Sequence, residues 1–420
     1  MDIVIKGGRV VDPASGRDEI GDLFISKGSV VEPFKNKPGK TIDAKGLVVA
    51  PGLIDLAARL REPGDEYKAT LASEMDAAVA GGVTSLACPP DTHPPLDEPG
   101  LVDMLRRRAK ALARARVYPV GALTVKLAGE RLAEMSVLAD AGCVAFSQAN
   151  LPIADTRVLW RALQYAATFG YPVWLRAEDK WLSQEGVAHD GDMATRLGLA
   201  GIPAFTETIA LATMLQLVRA TGARVHFCRL STAAGVEMMR AAKRDKLPVT
   251  CDVGIHYVHL SEMDLGYYDT QCRLDPPLRS QRDRDALAAG LADGTIDCAV
   301  SDHAPVDEDR KQLPFAEAEV GTTGLELLLP LALKWGEARQ LPLATTLARV
   351  TSDAARILGV RSGRIEPGAP ADLIVFDPKA PFPVKPEALK SQGKNSPFLG
   401  YELAGRVRAT LVDGVVVHEQ

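Results

Sequence analysis

Apolar positions along this chain follow two rhythms, and the change between them marks its organisation. Near both ends apolar and polar residues alternate: IVIKGGRVVD, DLFISKGSVVE and TIDAKG at the front, ADLIVFDP and GRVRATLVDGVVVHEQ at the back. A period of two with glycine turns predicts short half-buried strands. Between the ends, brief apolar runs replace the alternation: VVAPGLIDL, VTSLACP, VYPVGAL, CVAFSQ, YPVWLRAE, RVHFCRLS, PVTCDVG and TIDCAVSDHA. Continuous runs of this kind suit parallel strands buried on both faces. The segments between them have helical spacing, as in YKATLASEMDAAVAGG, DTRVLWRALQYAATFG and QRDRDALAAGLADG, and several end in glycine. Eight such units predict an α/β fold, a (β/α)8 TIM-type barrel, in preference to an open doubly wound sheet.

The expected division is a barrel over residues 51–360 and a small β-sandwich domain formed jointly by residues 1–50 and 361–420. The segment DPKAPFPVKPEALKSQGKNSPF, rich in Pro, Lys and Ser, reads as an ordered surface loop. At 420 residues, one large barrel with a satellite domain fits better than three separate cores. Hydrophobic residues at 46% and charged residues at 25% are ordinary for a soluble globular protein. The net charge of -5 gives no reason to expect nucleic acid, and no apolar leader or long apolar span points to a membrane. The expectation is a cytoplasmic protein. The cysteines at 88, 143, 228, 251, 272 and 298 form no CxxC pair and read as buried free thiols.

In such a barrel the chemistry sits where strands end at their C-termini. Those ends carry Asp55, Ala57, Arg59, Arg61 and Glu62; Asp91 and His93; Ser147, Gln148 and Asn150; Arg176, Glu178 and Asp179; Arg229, Ser231 and Thr232; and Ser301, Asp302 and His303. With the stretches PGLIDLAARLREPG, AGGVTSLACPPDTHPP, CVAFSQANLPI, AEDKWLSQEG, LGLAGIPAFTETIALA, LDPPLRSQRDRDAL, GTIDCAVSDHAP and EPGAPADLIVFDP, this pattern resembles the amidohydrolase superfamily, dihydroorotase above all. The likeness runs through nearly the whole chain. It also implies a β domain split between the two ends.

The departures from that family fall on its metal ligands. The resemblance implies a His-x-His pair before LREPG, where this chain has Ala57 and Arg59. It implies an acidic ligand on strand four, where Gln148 and Ala149 stand, and histidines at Arg176 and Arg229. Of the implied ligands only Asp302 remains; Val306 replaces the last His of Asp-His-Ala-Pro-His. Catalytic zinc takes about three protein ligands of N, S or carboxylate type. A guanidinium stays protonated, offers no lone pair and repels a cation. Without a metal no hydroxide forms near neutral pH and no carbonyl is polarised by a Lewis acid. The expectation is therefore no functional catalytic residue and no cofactor, with Asp302 a vestige. By resemblance Arg61 matches the arginine that holds the substrate carboxylate, Asp91 replaces an asparagine in the strand-two loop, and His303 matches a position near the substrate.

A carboxylate that has lost its cation needs another, so Arg59, Arg176 or Arg229 is expected to pair with Asp302, Glu62 or Glu178. His256 and His259 in GIHYVHL are not read as a metal pair, and His226 reads as a packed or hydrogen-bonded residue. The stretch RRRAKALARAR at 106–116 reads as the solvated face of a barrel helix, with contact to an acidic partner surface as the alternative.

The closest resemblance is to the silent dihydroorotase-like chains that accompany bacterial aspartate transcarbamoylase. It implies a non-catalytic chain in pyrimidine biosynthesis, joined to the transcarbamoylase catalytic chain in a large hetero-oligomer, with self-association also open. Two alternatives stand beside it: a regulatory chain that binds a small anion among the arginines, and a cyclic-amide hydrolase with an atypical metal site.

Overall fold

The computed structural model describes residues 2–34 and 37–420. The alternating front of the chain forms β1 (Ile3–Asp12), β2 (Arg17–Ser26), β3 (Ser29–Val31), β4 (Lys40–Asp43) and β5 (Val48–Pro51). The chain then enters the barrel through β6 (Leu53–Asp55), β7 (Val83–Cys88), β8 (Arg116–Ala122), β9 (Ala145–Ser147) and β10 (Val173–Leu175). After a two-residue pair, β11 (Ala188–His189) with β12 (Gly201–Ile202), it continues through β13 (Val225–Phe227), β14 (Val249–Gly254) and β15 (Cys298–Val300). Each barrel strand is hydrogen-bonded to the next in sequence, all in parallel. These are the eight apolar runs, in order.

The seam between first and last strand is closed just beyond their ends. Arg59 N donates to His303 O at 2.8 Å and His303 N donates to Ala57 O at 3.0 Å. The backbone around the expected metal positions is thus the clasp of the barrel. Beneath it the buried Asp55 carboxylate accepts Ser301 N at 3.0 Å and the Ser301 hydroxyl. Burial pushes the Asp55 pKa up, and the bonds from Ser301 only partly oppose that.

The crossovers hold α1 (Leu71–Ala80), α2 (Pro99–Leu112), α3 (Met135–Ala141), α4 (Thr156–Phe169), α5 (Asp192–Leu197), α6 (Phe205–Thr221), α7 (Ala233–Arg244) and α8 (Gln281–Asp293). Four of them start on a side-chain cap: Thr70 accepts from Ser73 N, Asp155 from Arg157 N, Thr232 from Gly235 N and Ser280 from Asp283 N. Helices α9 (Glu308–Lys311), α10 (Leu328–Ala338), α11 (Leu343–Ala348) and α12 (Ser352–Leu358) follow the last barrel strand. The basic stretch at 106–116 is the second half of α2, its left-handed cap at Ala113 and the start of β8.

The chain ends in β16 (Leu373–Pro383), β17 (Glu402–Val412) and β18 (Val415–Glu419). Strand β16 pairs antiparallel with β5, so both ends of the chain share one sheet, in the order β18-β17-β16-β5-β1-β2-β3 with β4 on β1. Ile3, Ile5, Val10, Ile25, Val49, Leu373, Val375 and Leu411 form its own buried core.

The expected surface loop at 377–398 is different in the structure. Its first part continues strand β16, and Ser391, Asn395, Ser396 and Phe398 are buried. Two buried carboxylates explain why a polar segment is drawn inward. Glu74 on α1 accepts Ser391 Oγ at 2.6 Å and Gln392 N at 3.0 Å; Glu326 accepts Lys390 N at 2.9 Å and Ser391 N at 3.1 Å. Asn395 completes the seal, accepting Val306 N at 2.9 Å and donating to Ala304 O at 3.1 Å.

Candidate functional site

Seven of the eight barrel strands send polar residues to the mouth, and arginines organise them. Arg59, after β6, spreads its guanidinium over three acceptors: Nε to Asp91 at 2.8 Å, Nη1 to Asp302 at 3.3 Å and Nη2 to Asn150 Oδ1 at 3.0 Å. Arg229, after β13, donates Nη1 to the same Asp302 oxygen at 3.1 Å and Nη2 to the same Asn150 oxygen. Two guanidiniums therefore converge on the carboxylate expected to have lost its cation. Arg59, Arg229 and Asp302 are all less than 10% exposed, with side-chain values of 8%, 5% and 8%.

A second cluster adjoins the first. Both Arg176 Nη atoms bond Asp275 in a bidentate pair, and Arg176 also meets Glu178 at 2.9 Å. Asn150 Nδ2 donates to Asp275 at 3.1 Å and joins the clusters. The expected ion pairs form, with two differences. Glu62 takes no part: it accepts Leu71 N at 2.8 Å and pairs with Arg108. Asp275, from the loop after β14, carries a role the sequence reading did not give it.

The electrostatics follow from burial and arginine charge. Burial alone would raise the Asp91 and Asp275 pKa values, but Arg59 over the first and Arg176 over the second hold both below the usual carboxylate range. Burial works against the charge of Arg229, yet Asp302 and Asp275 outweigh it and its pKa is raised. Glu178 goes the other way: burial dominates over Arg176 and the carboxyl is pushed up.

Arg61 behaves differently from its neighbours. Its Nε donates to Pro305 O at 2.8 Å, and among the described residues no carboxylate pairs with it. Burial and the adjacent Arg59 charge lower its pKa. It lines a cleft of about 390 Å³ together with Arg59, Asp91, Arg229, Asp275 and Asp302.

The remaining expected site residues lie elsewhere. His303, expected near a substrate, does not line the cleft: it is fully buried, its Nε2 2.7 Å from Glu74, with Gly324 N donating to Nδ1 at 3.1 Å. Gln148 is turned into the wall, accepting Thr124 Oγ1 at 2.9 Å and donating to Leu127 O at 2.7 Å. Ala57 is buried in an apolar layer with Ile54 and Leu56. All six cysteines are free, five buried and Cys228 half-buried.

A divalent metal does not fit the family's ligand positions in this chain. They present two buried, fully engaged guanidiniums at Arg59 and Arg229, a third at Arg176, a methyl group and an amide. His226, Cys228 and Asp252 form one close group of metal-type donors among the described residues. Two of its three donors are already used: His226 sits 2.8 Å from both Thr250 Oγ1 and Asp252, and Asp252 accepts Arg229 N at 2.6 Å. Of the GIHYVHL histidines, His259 lies 2.9 Å from Leu331 O, and burial holds both rings down to about 4.

The backbone of the mouth keeps an unusual shape. Arg61, Ala149, Arg229 and Asp302 all have left-handed φ, between 49° and 60°. Non-glycine residues there cost about 1–3 kcal/mol each and cluster at functional sites. Asp275 and this backbone were missed in the sequence, and Asn150 was placed at a strand end without a role. Asn150 stands at a strand end and so had a positional signal; Asp275 shows only as one acid in LDPPLRS.

Comparison with known proteins agrees with this geometry. A family model described as dihydro-orotase-like matches residues 46–234, and one described as amidohydrolase family matches 186–418. A dihydroorotase-like protein from Pseudomonas aeruginosa is 45% identical, with 100% of each chain covered. This chain belongs to the dihydroorotase-like family of amidohydrolases. A second dihydroorotase-like protein, from Pseudomonas putida, is 44% identical over 100% of this chain and 99% of the relative. A protein named dihydroorotase from Geotalea daltonii is 42% identical with full coverage of both. The L-hydantoinase of Arthrobacter aurescens has a similar structure, with TM-score 0.88 at 25% identity over 100% of this chain and 96% of that one. This dihydroorotase-like chain thus keeps the family's barrel and its split terminal sheet.

Proposed function

We propose that this chain is a non-catalytic dihydroorotase homologue that assembles with aspartate transcarbamoylase and stabilises it, in the cytoplasm and in pyrimidine biosynthesis. One observation carries the loss of catalysis: Arg59 and Arg229 both bond Asp302 where a metal would need lone pairs. A plug of guanidiniums hydrogen-bonded to carboxylates offers no lone pairs to a metal, and so no metal-bound water for Asp302 to deprotonate. The assembly role rests on the resemblance to silent chains of that complex and on a fold retained in full around an altered mouth.

A second reading has its own observation. Arg61 lines the cleft with no carboxylate paired to it, which supports binding of a small anion as a regulatory signal. The two readings are compatible, since one concerns the mouth and the other the outer surface.

The test is metal content and dihydroorotase turnover on one purified sample, before and after added zinc, then gel filtration with the transcarbamoylase chain from the same organism. The expected result is no bound metal, no turnover and a stable mixed complex. About one metal per chain, with turnover abolished by Asp302→Ala, would overturn the loss of catalysis. Two separate peaks at micromolar concentration would overturn the assembly role.

A further inference from the structure

A groove of about 840 Å³ lies at the opposite end of the barrel from the cleft, beside the start of β8. One wall is the second half of α2, with Arg106, Arg107 and Lys110. The other is the terminal hairpin, with Val412, Val415 and Val417. Val415 is 60% exposed although it is a large apolar residue on a strand.

The three cations on the helix wall form no ion pair among the described residues, and they outnumber the carboxylates that also line the groove, Asp103 and Asp413. Arg114 pairs with Asp76 at 2.7 Å, and Arg116 pairs with Asp372 and Asp413. Among the described residues no carboxylate pairs with Arg106, Arg107 or Lys110; Arg106 donates only to Ala141 O, at 2.6 Å. Arg106 and Lys110 are one helical turn apart, where like charges repel by a few tenths of a kcal/mol. The helix C-terminus favours Lys110 but does not reach Arg106 and Arg107.

We propose that this groove seats an extended acidic segment of a partner polypeptide in which carboxylates alternate with apolar side chains. The spacing supports the match. Arg106 and Lys110 are separated by a rise of about 6 Å. Carboxylates two residues apart on an extended strand are separated by about 6.6 Å. Alternate side chains of such a strand point to opposite faces, so carboxylates meet the helix wall while apolar groups meet the valines. Nucleic acid fits less well, because the second wall presents valines and the groove holds a single aromatic, Tyr118, in place of a series of stacking platforms. The inference does not depend on the assembly role, since it is read with a defined peptide and without the transcarbamoylase.

The test uses the full chain and a short fluorescent peptide alternating Glu with Val, followed by anisotropy. Binding is expected to be at least about tenfold tighter than to an all-Glu peptide of equal charge, and to fall about tenfold in Arg107→Glu and separately in Val415→Asp. Circular dichroism checks that both exposed-site variants fold. Equal binding of the two peptides, or variants that bind like the parent, would overturn the proposal. So would tighter binding to single-stranded DNA, which would make the wall a phosphate site.

Discussion

Asp302 shows how a buried carboxylate can be neutralised by the chain's own cations. It is buried, and two arginines, one from each side of it around the barrel, share its Oδ1. Removing Arg229 leaves Asp302 with Arg59 alone, whose charge Asp91 also shares. Arg229→Leu is therefore expected to destabilise the chain by about 3 kcal/mol, read as a lowered urea midpoint at pH 7. The double variant Arg229→Leu/Asp302→Leu should recover much of that loss, because no charge is then left without a partner.

His256 and His259 give the chain a defined acid sensitivity. In the unfolded chain each takes up a proton near 6.5; folded, burial holds each to about 4. Their contribution is full above pH 6.5 and is lost as pH falls from there to about 4, on the order of 3 kcal/mol per ring. Urea midpoints from pH 7 to pH 4.5 should fall less steeply in His259→Gln than in the parent. An unchanged slope would show that the ring is protonated when folded.

Gly64 holds two mouth loops together at one point. Its φ is +102°, and an added Cβ would sit 1.8 Å from His93 O. Gly64→Ala is expected to cost about 1–3 kcal/mol and to push apart the loops that carry Arg59, Arg61 and Asp91, seen as a lower melting temperature. The segment after β16 is held just as specifically. Glu74→Ala leaves His303 and the Ser391 hydroxyl without their shared acceptor, and limited proteolysis should then cut between residues 384 and 401, where the parent resists.

The eight barrel strands were legible because continuous burial leaves a mark in composition: each is a short Val-, Ile-, Leu- or Cys-rich run. The 384–401 segment was not. Its burial is caused by Glu74 and Glu326, far away in sequence, and its own residues are those of a surface loop. The pairing of the mouth arginines with carboxylates was legible, because it follows from the cost of a buried charge. The choice of Asp275 over Glu62 was not legible, because it depends on which loop folds across the mouth. The placing of His303 under α1 depends likewise on a tertiary contact with Glu74.

Around the circumference, Arg59, Asp91, Asn150, Arg176, Arg229, Asp275 and Asp302 tie together the ends of seven strands. The left-handed backbone at Arg61, Ala149, Arg229 and Asp302 keeps the shape of a mouth built for chemistry. Histidines restored together at 57, 59, 176 and 229 should therefore bring back zinc uptake, read as a zinc-dependent rise in melting temperature that is absent from the parent.

The plug also changes what the fold depends on. Where mouth carboxylates are neutralised by an ion drawn from solution, stability rises and falls with the free concentration of that ion. Here the counter-charges are written into the polypeptide at fixed local concentration. They cannot be diluted, chelated or outcompeted, so on the proposed reading the mouth is expected to hold as firmly in an ion-starved cell as in a replete one.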